Sequence, residues 1–334
     1  MNRDLRDFHI SPATKLLDTI SYLKLKDNCF KKVDVKSLIH QYGSTDDVKK
    51  YLDIYNKMLT SKVVAPMHFG SMVDTLSKVL YMQYLALNGI NDTSFLDTID
   101  SGLFGDKRCY ISRLLSRHMR VPVKIFNNKY CRNQYMRHMN VLVDCLLNDN
   151  STIKDIWIAC HFLTILDNQF KSGFCKTMNL LYRYIDESYD YINNIINLFP
   201  DALILIESLS INTFDYLQSK NDIFICNRWI DSKACLSSKR HLVVGEVDFM
   251  SKSEIIDLKV SKNNPTSAQL QQTAIYHLIN NNNKHIENLS IYNPLLNVSV
   301  SVSPFDILSI NELDDVVDKI INALSSIYSF QPPL

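Results

Sequence analysis

The chain has no long hydrophobic run: no uninterrupted apolar stretch in its 334 residues approaches the ~20 that a membrane-spanning helix needs. A soluble protein with no membrane partner is the expectation. It also lacks an excess of either charge. Its 36 Lys and Arg stand against 35 Asp and Glu, a formal net charge of +1, which excludes a globally basic coat for polyanions and makes any such contact local. The eight cysteines, Cys29, Cys109, Cys131, Cys145, Cys160, Cys175, Cys226 and Cys235, include no C-x-x-C pair. No secretory segment is legible at the N-terminus, where Arg3, Asp4, Arg6 and Asp7 interrupt any apolar run. Reduced, mostly buried thiols and an intracellular setting follow as expectations, whether cytoplasm or nucleus and whether of cellular or viral origin.

What is present is enough apolar material for a substantial core, 46% of residues, in one large domain or two modest ones. Residues 1–60 read as a helical extension of two or three modest helices, and residues 61–200 as a mostly helical region. Val73, Leu76, Leu80 and Tyr84 recur at helical spacing after Pro66 and Gly70-Ser71. Val121 to Phe126 reads as a short strand, and helical spacing returns at about 152–169 and 176–198, the latter stopping before Pro200. From 201 to 334 the texture changes to short β-branched runs: ALILIESL, DIFICNRWI, HLVVGEVDF and SEIIDLKVS. A helix from about Ser267 to Leu278 follows, opened by a Thr266/Gln269 capping box; then come strand candidates ENLSIYNPL and NVSVSVS and a last helix from Ser309, with Glu312 completing S-x-x-E. The class is α/β (α+β), with β-β-β-α-β-α after residue 200.

Two of these strands carry charges where a core would take valine. Alternation places Ile255, Asp257 and Lys259 on one face of SEIIDLKVS. If the HLVVGEVDF strand is its antiparallel neighbour through Met250–Ser253, Asp248 comes close to Asp257, and Gly245 permits a bend or close approach. Two carboxylates at short range repel unless a cation lies between them, and oxygen ligands suit Mg²⁺ or Mn²⁺. Such an ion polarises a phosphoryl oxygen and acidifies a bound water, while Lys259 orients the water or offsets phosphate charge. Phosphodiester hydrolysis is the chemistry implied. The alternative is a same-face Asp257–Lys259 salt bridge, with Asp248 merely ending its strand. In the following helix Gln269, Gln272 and Tyr276 share a face next to the apolar stripe Leu270, Ala274 and Leu278.

Gly245–Phe249 as G-x-x-D, Asp257–Lys259 as D-x-K and Gln272–Tyr276 as Q-x-x-x-Y, in that order, resemble the PD-(D/E)XK nuclease superfamily, specifically its RecB-like exonuclease branch. The resemblance covers roughly residues 242 to 292. It implies a restriction-endonuclease-like core, a central mixed sheet flanked by helices, within residues 201–334, to which the helical region before it contributes. It further implies metal coordination by Asp248, Asp257 and the Leu258 backbone carbonyl, a catalytic role for Lys259, and positioning of the site or DNA by Gln272 and Tyr276. The activity expected is that of a Mg²⁺-dependent deoxyribonuclease, an exonuclease or end-processing enzyme in replication, recombination or repair. RNA is not excluded, and endonuclease action stays open. A catalytically inactive DNA-binding or assembly protein on the same fold is the alternative.

The chain departs from the family pattern upstream. Where relatives carry G-T-x-x-H on a helix, it has Gly70-Ser71-Met72-Val73-Asp74. Asp74 is either a further oxygen donor to the metal or a partner of Lys78 at i,i+4. Glu187, Asp190 and Glu207 are other candidates for a third acid, and His68 beside Gly70 has a structural or supporting role. No cysteine follows Cys235, so the iron–sulfur cluster of some relatives is not expected. No G-x-x-x-x-G-K-[ST] is present, so any helicase or other replication motor would be a separate partner. Lys233, Lys239, Arg240, Lys252, Lys262 and Lys284, with Arg228 and Trp229, flank the site as candidate phosphate contacts, and Lys107, Arg108, Arg113, Arg117 and Arg120 form a second basic patch.

Overall fold

The computed structural model describes residues 12–61, 64, 66–88, 154, 157–158, 161, 190, 192–236, 239–280 and 285–328. In chain order its elements are α1 (Pro12–Tyr22), α2 (Lys26–Cys29), β1 (Ile39–Gln41), α3 (Thr45–Ser61), α4 (Pro66–Leu87), α5 (Asp201–Ser219), β2 (Ile225–Leu236), β3 (Lys239–Met250), β4 (Glu254–Leu258), α6 (Ser267–Ile279), β5 (Asn288–Asn293), β6 (Val298–Val302), α7 (Pro304–Ile307) and α8 (Leu313–Tyr328). They fall into two compact units, Met1–Thr45 with Asn221–Leu334, and Asp46–Lys220.

The first unit is built on a mixed six-stranded sheet of order β1-β6-β5-β4-β3-β2. β2, β3 and β4 form an antiparallel meander, and β5 lies parallel to β4. Parallel neighbours need a crossover, and α6 supplies it. β6 pairs antiparallel with β5, and β1 closes that edge with Ile39 opposite Val300. Ile255, Leu289, Ile291, Val300 and Val302 meet Leu270, Ala274, Ile275, Leu278 and Ile279 of α6 in one core, which Leu17 and Ile20 of α1 and Val316, Val317 and Ile320 of α8 extend. Because α6 is covered by more than the sheet, it is apolar on most sides. Its start is the expected capping box: the Gln269 N–H donates to Thr266 Oγ1 and the Thr266 N–H to Gln269 Oε1.

In the second unit α4 and α5 pack together, with the Ser210 hydroxyl donating to the Val73 carbonyl at 3.2 Å and Tyr84 edge-on to Phe214. Among the described residues no single helix is long and apolar enough to cross a membrane.

Two expectations need correction. ALILIESL is the start of helix α5. Read in eight residues, a run of Leu and Ile does not distinguish strand from helix, but its buried positions continue to Leu209, Thr213, Tyr216 and Leu217 at helical spacing. The last helix begins at Leu313 rather than Ser309; the Glu312 N–H donates to the Asp315 carboxylate, so the S-x-x-E box is not the cap. β1 went unread because three edge residues give no alternation to detect. Val121 to Phe126 and the 152–169 helix lie largely outside the described residues; of the 176–198 helix, Ile192–Leu198 is described and helical.

Candidate functional site

The register Phe249↔Ile256 and Met250↔Ile255, carried one pair further, sets Asp248 opposite Asp257. Directly opposed residues share a face, and alternation along β4 adds Lys259 just past its end. The face is the one α6 covers, since Ile255 belongs to that core. β3 runs unbroken through Gly245, which pairs with Ile230.

The half-buried Asp248 turns its carboxylate to the neighbouring strand, where it accepts a hydrogen bond from the Leu258 backbone N–H at 2.9 Å. Lys259 Nζ lies 2.8 Å from Asp257 Oδ2, with the Asp257 side chain 6% exposed and that of Lys259 28%. The Lys259 N–H donates to the Tyr292 carbonyl, so the main chain at this residue is still held by β5. Burial, the largest single influence, presses the Lys259 ammonium toward neutrality. The charges of Asp257 and Asp248 and the hydrogen bond to Asp257 outweigh it, with Tyr276 adding to them, and hold the group above the ordinary lysine value. Lys259 therefore stands as a cation and donor beside Asp257.

On α6 the Gln272 side-chain amide donates to the Tyr276 hydroxyl at 3.0 Å. Tyr276 is buried in the core, close enough for its hydroxyl to bear on Lys259. Gln269, placed on the same polar face by spacing, spends its side chain on the helix cap.

One supporting residue escaped sequence reasoning. Asn293, at the carboxyl end of β5 and 1% exposed, donates to the carbonyls of Ser261 and Asn263 and accepts from the N–H groups of Ser261 and Leu295. An amide has two donor hydrogens and two acceptor lone pairs. All are used, and they pin the loop that runs from Lys259 to the α6 cap. The one available signal was the Asn293-Pro294 dipeptide, a turn marker.

The remaining candidates are placed as follows. Asp74 pairs with Lys78 at 2.5 Å, the lysine side chain being 2% exposed, within the second unit; this is the i,i+4 pairing. Glu207 is half-buried on α5 and Asp190 exposed. Glu187, Lys284, the His68 side chain and the 107–120 basic patch lie outside the described residues. Among the described residues no group of three or more His, Cys, Asp or Glu side chains is assembled as a metal-binding set. Comparison with protein-family models, curated proteins and solved structures gives no match for this chain.

Proposed function

We propose that the chain is a metal-dependent nuclease that hydrolyses DNA phosphodiester bonds, resembling the RecB-like branch of the PD-(D/E)XK superfamily. The observation that carries this reading is the convergence of Asp248, Asp257 and Lys259 on one sheet face at the carboxyl end of β4. The order of three antiparallel strands, crossover helix and parallel strand supports it, as does the Gln272–Tyr276 pair on that helix.

The donor set fits a hard divalent cation. Asp248, Asp257 and the Leu258 carbonyl would hold Mg²⁺ or Mn²⁺ through oxygen alone, and Mg²⁺ commonly keeps several waters beside one or two carboxylates. A carboxylate has about four lone-pair sites, so the bond from Lys259 does not exhaust Asp257. A bound ion supplies Lewis-acid polarisation of a phosphoryl oxygen and acidifies a coordinated water.

The chain's own residues do the rest. Lys259, kept protonated, donates to a non-bridging phosphate oxygen or to the attacking water and offsets the charge that builds there. Tyr276, fixed by Gln272, sets the wall of the site beside Lys259, and Asn293 holds the following loop. DNA is the proposed partner, and a motor protein, if one is used, is a separate chain.

One observation favours a second reading, a catalytically inactive DNA-binding or assembly protein: the described residues bring only two carboxylates to the site. Incubation with Mg²⁺ or Mn²⁺ and linear, circular and single-stranded DNA, and RNA, alongside Asp257→Ala and Lys259→Ala, separates the two. Cleavage by the native chain that both substitutions abolish supports the nuclease. Binding without cleavage supports the second reading.

A further inference from the structure

Asn293, buried at the carboxyl end of β5, holds the residues on either side of Lys262. Its side-chain amide donates to the Ser261 carbonyl at 2.7 Å and to the Asn263 carbonyl at 3.1 Å, and its side-chain oxygen accepts from the Ser261 N–H. The Ser261 hydroxyl oxygen accepts in turn from the Asn263 N–H at 3.1 Å. Lys262 therefore stands at the tip of a turn that is closed across its base. One residue earlier on β5, the Tyr292 carbonyl takes the N–H of Lys259. Consecutive residues at one strand end thus fix the main chain at both lysines.

Lys262 is exposed, and among the described residues its ammonium has neither a hydrogen bond nor an ion pair. Other exposed lysines are engaged: Lys49 with Asp46 at 3.0 Å, Lys57 with Asp53 at 2.6 Å, and Lys31 with the Phe305 carbonyl at 2.6 Å. Nor does the surrounding sequence supply a carboxylate. From Leu258 to Ile286 the chain holds neither Asp nor Glu, and the Asn293–Asn297 turn holds none either. A free cation on a braced main chain lowers the ordering cost of binding an anion. The short link from Lys259 keeps the Lys262 Cα within about 11 Å of its own, the rise of about three nucleotides at about 3.4 Å each along one strand.

We propose that Lys262 contacts a second phosphate of the substrate strand, at a spacing from Lys259 set by Tyr292 and Asn293, so that the site takes a polynucleotide backbone rather than an isolated phosphodiester. Two cations at a fixed separation match a ligand whose charges repeat at a fixed separation. The uncharged Asn263 and Asn264 beside Lys262 leave its field uncancelled. Lys262 positions the strand and reads no base, as phosphate contacts do. The scissile phosphate at Lys259 rests on the nuclease reading above; the binding at Lys262 does not.

The test has a binding arm and a turnover arm. In EDTA, a linear DNA duplex is titrated with native protein, Lys262→Ala and Lys262→Arg across a salt series. The slope of log K against log salt should be shallower by about 0.9 in Lys262→Ala, the value for one phosphate no longer neutralised, and close to native in Lys262→Arg. In Mn²⁺, turnover is measured on bis(p-nitrophenyl) phosphate, which carries a single phosphate, and on thymidine oligonucleotides of increasing length. KM of the native chain should fall about 10-fold once phosphates flank the one that is cut, and Lys262→Ala should flatten that length dependence. A native slope in Lys262→Ala overturns the proposal whether or not the chain cuts DNA. So does a loss of turnover that is equal on the single-phosphate ester and the oligonucleotides, which would make Lys262 structural. A slope that depends on Lys262 in a chain that turns over neither substrate keeps the phosphate contact and removes the nuclease reading. Turnover of both substrates with native slope and native KM in Lys262→Ala does the reverse.

Discussion

The Asp248 carboxylate accepts a hydrogen bond from the backbone N–H of Leu258, the residue between Asp257 and Lys259, at 2.9 Å. One side chain thus closes the β3–β4 pairing and stands beside the proposed ligand Asp257. The two roles separate by substitution. Asp248→Ala leaves the N–H of buried Leu258 without its acceptor and should cost about 1–3 kcal/mol. Asp248→Asn keeps an acceptor and should be nearly as stable as the native chain, yet cut no faster than the alanine variant. Urea unfolding and a cleavage assay on the same preparations measure both.

Lys259→Met should destabilise the fold by about 2 kcal/mol, less than the full value for breaking a buried ion pair because the lysine is partly exposed. Replacing both partners, with Asp257→Asn added, should recover much of that loss, since no uncompensated charge is then buried. Thermal denaturation of the single and double variants decides it. Recovery of stability without recovery of cleavage would assign the pair to chemistry as well as to folding.

Two groups give opposite pH dependences. Lys259 is held above its ordinary value, chiefly by Asp257 and Asp248 against an opposing burial effect. Its stabilising contribution is complete below the unfolded-state value of about 10.5 and is lost only as pH rises beyond it. Burial lowers His277 on α6. The unfolded chain therefore binds its proton first, and stability should fall as pH drops below about 6.5. His277→Phe should flatten that part of a stability profile.

Asn293→Ala removes four hydrogen bonds from a buried amide and should cost about 2–3 kcal/mol. If the loop it pins positions Lys259 against α6, kcat should fall in protein that is still fully folded at the assay temperature. A loss of stability with native kcat and KM would restrict Asn293 to folding.

Asp74→Asn leaves Lys78 charged at 2% side-chain exposure, and a loss of about 3 kcal/mol is expected. The thermal shift produced by Mn²⁺ tells whether Asp74 is also a ligand. A shift that survives in Asp74→Asn confines it to the Lys78 pair, and one that disappears makes it a ligand.

The parts of the fold that could be read in advance were those with a period and a boundary. Alternation in SEIIDLKVS placed Asp257 and Lys259 on one face, and Thr266 with Gln269 marked the start of α6. The antiparallel approach of β3 to β4 followed from the short Met250–Ser253 link. What escaped had no local signal. Residues 202–206 read equally as buried strand or buried helix until the spacing to Tyr216 was included, and β1 exists only because Ile39 finds Val300 across the chain. Asn293 looks like an ordinary turn residue until its four partners are seen. Lys78 gave no hint of burial, because an i,i+4 Asp74–Lys78 pair is the usual pattern of an exposed helix face.

The central claim is that the Asp248, Asp257 and Lys259 constellation cuts phosphodiester bonds. It is tested most directly by the rate at which native protein and Asp257→Asn cleave one end-labelled linear duplex in Mn²⁺, with both proteins shown to be folded. A native rate that depends on the metal and falls at least about 100-fold in the variant is the predicted result, since even loss of a residue supporting a metal ligand costs about 10–100-fold. Equal rates in the two proteins, or no cleavage by the native chain, would contradict it.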